Sequence, residues 1–166
     1  MNKFVKLSSA LLVAVVGSSP LTDADAATVP GASGNARLPG ELSCFQRDFG
    51  RIANTGCTGQ RRVTIGSPVF TGVTGSRTYS ATGCSGQTGN TSTCSVSILG
   101  ADGWRKAGSS DVQLTSCPVI GGGGPTAKNL GTFSVAGTDA VVFECLLSPA
   151  SGSPQGFMNF VGSLTF

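Results

Sequence analysis

VVFECLL, residues Val141–Leu147, places Val141, Phe143, Cys145 and Leu147 on one face of an extended chain. Val142, Glu144 and Leu146 fall on the other. Side chains of a strand alternate between faces, so a period of two in apolar residues marks a strand with one face in a core. The same period recurs outward from this stretch. CSVSIL sets Cys94, Val96 and Ile98 against Ser95 and Ser97. DVQLTSC alternates through Val112 and Leu114, TFSVAG through Phe133 and Val135, and MNFVGSLTF through Met158, Phe160, Leu164 and Phe166. LSCFQRDF, RRVTIG, PVFTGV and RTYSAT are weaker strand signals. Thr-Gly, Ser-Gly, Asp-Gly and Ser-Pro breakers separate them, and LGADGW (Leu99–Trp104) reads as a hairpin turn. Beyond the first residues, no segment holds helical spacing for ten residues without Gly or Pro. The expected fold is all-β: an antiparallel β-sandwich, or a small barrel, of about eight short strands stabilised by disulfides.

The first residues read as an export signal. Lys3 and Lys6 precede the short apolar run Ala10–Val16, Pro20 ends it, and Ala24 and Ala26 have the small side chains of a cleavage site. The run is far below the roughly 18–20 residues that span a bilayer. Residues 1–26 are therefore expected to be a secretory signal peptide, with no transmembrane segment in the mature chain. Residues 27–41, with two Pro-Gly steps, read as a flexible or extended lead-in, and 42–166 as a single all-β domain. The expected location is secreted, periplasmic or at the cell surface.

Export gives the cysteines their meaning. Cys44, Cys57, Cys84, Cys94, Cys117 and Cys145 form an even set in a chain without histidine or a C-x-x-C pair. Zinc spacing is missing and no acidic calcium loop appears, so disulfides are expected and no metal or cofactor is. Nearest-neighbour pairing, 44–57, 84–94 and 117–145, would have each bridge bracket a turn.

The remaining composition excludes most chemistries. Charged residues make up 11% of the chain, against an average of about 25%. The net charge is +3, and only Arg61-Arg62 and Arg105-Lys106 adjoin, so the basic stripe of a nucleic-acid binder is lacking. Without histidine there is no Ser-His-Asp arrangement. SCPVIGGGGPTAKNL (Ser116–Leu130) lacks the Gly-Lys-Ser/Thr sequence and following helix of a phosphate loop, and reads as a link. RDFG (Arg47–Gly50) has none of the companion motifs of a kinase. The carboxylates are Glu41, Asp48, Asp102, Asp111, Asp139 and Glu144. Most fit turns or strand starts, and Glu144 fits the wet face of a sheet. No enzyme activity is expected.

A binding or structural role remains, through contact with a glycan, a surface or a protein. CSGQTGNTSTC (Cys84–Cys94), if clamped, would present Gln87, Asn90 and Thr91 to sugar hydroxyls, with Trp104 or Tyr79 stacking on a ring. The alternatives are a self-assembling surface or appendage subunit that associates through its C-terminal strand, and a small secreted inhibitor or effector. An outer-membrane barrel is disfavoured by the six cysteines and the single Trp and Tyr.

Overall fold

The computed structural model describes residues 28–48, 50–70, 72, 74–85, 91–116, 125, 127–149 and 160–165. The expected leader, the glycine quartet, Gln87, Asn90 and Cys117 lie outside the described residues.

Two sheets form. The first contains β1 (Thr28–Pro30), β3 (Phe45–Asp48), β4 (Arg51–Asn54), β6 (Gly75–Ser85), β10 (Thr115–Ser116), β11 (Ala127–Val135) and β13 (Phe160–Thr165). The second contains β2 (Asn35–Ala36), β5 (Arg61–Phe70), β7 (Thr93–Leu99), β8 (Arg105–Gly108), β9 (Val112–Gln113) and β12 (Ala140–Leu147). Among the described residues, every pairing is antiparallel except the two-residue contact of β10 with β6. Thirteen strands among the described residues exceed the eight or so expected because several are only two to four residues long. Such pieces carry too few side chains to display a period.

The opening stretch sits at the middle of the second sheet. β12 is hydrogen-bonded to β5 on one side and to β7 on the other, and Val141, Phe143, Cys145 and Leu147 are all buried. In β7 the buried set is Cys94, Val96 and Ile98. From the first sheet Ile52, Tyr79, Ala81, Leu130 and Val135 join the same core. The rings of Tyr79 and Phe143 approach to 6.0 Å from opposite sheets, which makes the architecture a sandwich.

Two short pieces of the stretch read as a lead-in are extended and join the sheets. Thr28–Pro30 pairs with β13 and Asn35–Ala36 with β5, separated by a short 3-10 turn. The Arg47 guanidinium donates to the Gly34 carbonyl at 2.7 and 3.1 Å. A second 3-10 turn, Pro39–Cys44, leads into β3.

The disulfides correct the expected pairing. Cys44 and Cys57 are joined, with Cα atoms 4.9 Å apart. Cys94 is joined to Cys145, not to Cys84, and Cys145 therefore cannot bond Cys117. The reason lies in the sheets. Cys84 is on β6 of the first sheet, whereas Cys94 on β7 stands directly opposite Cys145 on β12, with Cα atoms 4.1 Å apart. Cys84 is disulfide-bonded as well.

Candidate functional site

The turn between β7 and β8 is built by its own residues. Gly103 has φ +78°, a left-handed backbone that glycine accepts without strain. Its amide donates to the Gly100 carbonyl at 2.9 Å, and the Gly100 amide donates to the Trp104 carbonyl at 2.9 Å. The Asp102 Oδ1 accepts the Trp104 amide at 3.0 Å. This bonding fixes the turn backbone and leaves the Trp104 side chain 78% exposed, the most exposed large apolar side chain among the described residues.

Beyond the turn the ladder slips: Leu99 pairs with Arg105 and Ile98 with Ala107, so Lys106 is the extra residue of a bulge. The Lys106 Nζ donates to the Asp139 carboxylate at 2.9 Å. The same Asp139 oxygen accepts the Ala136 amide at 2.8 Å. These two hydrogen bonds, the lysine's first, hold the Asp139 carboxyl below its ordinary pKa against the opposing effect of burial. Arg105 folds back along β8, and its Nη2 donates to the Ser109 carbonyl at 3.0 Å. The guanidinium lies over Gly108, where an added Cβ would stand 2.7 Å from Nη2 and 2.5 Å from the Val96 carbonyl. Ser109 is itself fixed to β7: its amide donates to the Val96 carbonyl and its hydroxyl accepts the Val96 amide, both at 3.0 Å. Arg105, Lys106, Ala107 and Gly108 line an open cleft of about 240 Å³ directly after Trp104.

Of the residues singled out in the sequence, Trp104 is presented to solvent and Tyr79 is not. Tyr79 is fully buried between Phe133 and Phe143, so it cannot stack on a ligand. Thr91 is half-buried beyond the opposite end of β7, and its carbonyl accepts the Gln60 side-chain amide at 3.2 Å. A seven-residue strand separates it from the Trp104 turn, a distance on the order of 20 Å. The two do not form one site. Arg105 and the Gly108 floor were not singled out. The adjoining Arg105-Lys106 pair is visible in the sequence, but nothing there marks Gly108 as the surface on which a guanidinium rests.

The carboxylates are dispersed. Glu41 pairs with Arg61 at 3.2 Å, and Glu144 pairs with Arg62 at 3.4 Å and with Arg37 at 4.0 Å, on the outer side of the second sheet. Asp102 serves the turn, and Asp111 is exposed just before β9. Among the described residues, no three His, Cys, Asp or Glu side chains converge as a metal site would require.

No protein family matches the sequence, and no curated protein matches it. The fold does have solved counterparts. The isomalto-dextranase of Arthrobacter globiformis T6, complexed with panose, is similar over 84% of this chain and 23% of its own, with a TM-score of 0.50 and 16% identity. A GH26-CBM35 β-(1,4)-mannanase of Podospora anserina matches over 84% of this chain and 27% of its own, with a TM-score of 0.43 and 12% identity. The chain thus spans about a quarter of each of these proteins. At 16% identity the likeness to the isomalto-dextranase is one of fold alone.

Proposed function

We propose that this chain is an exported, non-enzymatic binding domain of the extracellular space or cell envelope, whose ligand is a glycan stacked on Trp104. The observation that carries the reading is the 78% exposure of an indole at the closing position of a turn whose backbone is held by three hydrogen bonds. An indole face buries apolar sugar C–H groups at little entropic cost when the turn beneath it is already ordered. The disulfides fit an oxidising compartment, and among the described residues no helix is long and apolar enough to cross a membrane. A non-enzymatic role is supported by the carboxylates. Glycoside hydrolysis uses two carboxyl groups facing one cleft, whereas here Glu41, Asp139 and Glu144 are each engaged by a cation.

The likeness of fold to part of an isomalto-dextranase makes panose and dextran the first ligands to try. Trp104 is the only tryptophan in the chain, so its fluorescence reports its own contact. Binding is expected to shift that emission, and Trp104→Ala is expected to weaken retention in a glycan-containing gel at least about tenfold while the fold is kept. Unchanged retention of the folded variant would remove Trp104 from the site. Assembly through the C-terminal strand has less support. β13 lies inside its own sheet, with β6 along one edge and β4 and β1 along the other.

A further inference from the structure

The cleft lined by Arg105–Gly108, next to Trp104 in the chain, has a charge that stacking on a neutral sugar would leave unused. Lys106 is neutralised by Asp139, Arg61 by Glu41, and Arg62 and Arg37 share Glu144. Arg105 has no carboxylate partner among the described residues and lines the cleft. Its guanidinium is nevertheless held in place by the Ser109 carbonyl and by the bare backbone of Gly108. A fixed guanidinium with unspent N–H groups is a fork for a planar anion, and ordering it in advance removes much of the entropic cost of binding.

Resting on the glycan reading above, we propose that the cleft selects acidic polysaccharides. Arg105 receives the carboxylate of a uronic acid residue, while that sugar or its neighbour in the polymer lies on Trp104. The carboxylate is the group that a guanidinium meets through two parallel hydrogen bonds. The net charge of +3 adds a general attraction for a polyanion that salt weakens.

The test compares polygalacturonate and alginate with dextran, using the full chain, by Trp104 fluorescence and affinity electrophoresis at two salt concentrations. The uronans are expected to bind at least about tenfold more tightly than dextran, less so at high salt, and Arg105→Gln to lose about tenfold for uronans alone. Equal or tighter binding of dextran would overturn the acidic preference and leave the glycan reading standing. So would unchanged uronan affinity in Arg105→Gln when Trp104→Ala abolishes it. If none of the polymers moves the Trp104 emission, both readings fall. Arg105 also fastens Ser109, so the glutamine variant could lose its fold. Arg105→Lys, which keeps the charge but not the fork, then decides: a clear loss for uronans supports the proposal, and an unchanged affinity overturns it.

Discussion

Phe143 and Tyr79 reach the middle of the sandwich from opposite sheets, and each is almost wholly removed from solvent. Phe143→Ala leaves a cavity that packed neighbours cannot fill, and a stability loss of about 3–5 kcal/mol is expected in denaturant unfolding. Tyr79 is the sole tyrosine. Burial pushes its phenol above the ordinary value, partly offset by the nearby charge of Arg77. The unfolded chain ionises this group near pH ~10, so stability is expected to fall as pH rises beyond that point. An ultraviolet titration should show phenolate appearing late and together with unfolding. Asp139 behaves in the opposite sense. Lys106 and the Ala136 amide hold its carboxyl below the ordinary range, so its contribution is present above the unfolded value of ~3.9 and is lost as pH falls below it. Thermal melts taken down through pH 4 should therefore separate the wild type from Asp139→Asn, which lacks this dependence.

Among the elements, β12 and β7 were legible because each is long enough to repeat its period three times with one face in the core. The β7–β8 turn was legible too, since Asp102-Gly103 names a backbone that needs a positive φ. The strands β2, β9 and β10 have two residues each and carry no period. They exist because neighbours offer them a ladder. The bridge from Cys94 to Cys145 escaped sequence reasoning for a related reason: it follows register between β7 and β12, whose pairing is set by the sheet and not by proximity along the chain. The site was half legible. A lone tryptophan beside Asp-Gly is a visible candidate, whereas the seat of Arg105 depends on Gly108 and Ser109 meeting β7. Four of the six cysteines are in the two bridges described, and Cys84 is bonded as well. By count, a non-reducing peptide map should return 44–57, 94–145 and 84–117, and a peptide linking Cys84 to Cys94 would contradict this arrangement.

At the scale of the molecule, the Cys94–Cys145 bridge links neighbouring strands of the second sheet, and Cys44–Cys57 links the segments flanking the β3–β4 hairpin. Neither runs from a strand of one sheet to a strand of the other, and the layers meet through apolar side chains. Loop-closure entropy gives about 3 kcal/mol for the separation of 13 residues and about 4 kcal/mol for 51. Replacing Cys94 and Cys145 together by Ala should thus lower the denaturant midpoint more than replacing Cys44 and Cys57. The longer ring also encloses the Trp104 turn, β8 and the exposed Arg105 and Lys106. A trypsin-like protease would find its cut sites there, yet a single cut between Cys94 and Cys145 releases no piece. The two halves stay joined through the sulfurs at the centre of the second sheet, and the wound separates only on a reducing gel. The most exposed stretch of the second sheet is in this way set where damage to it does not dismantle the protein.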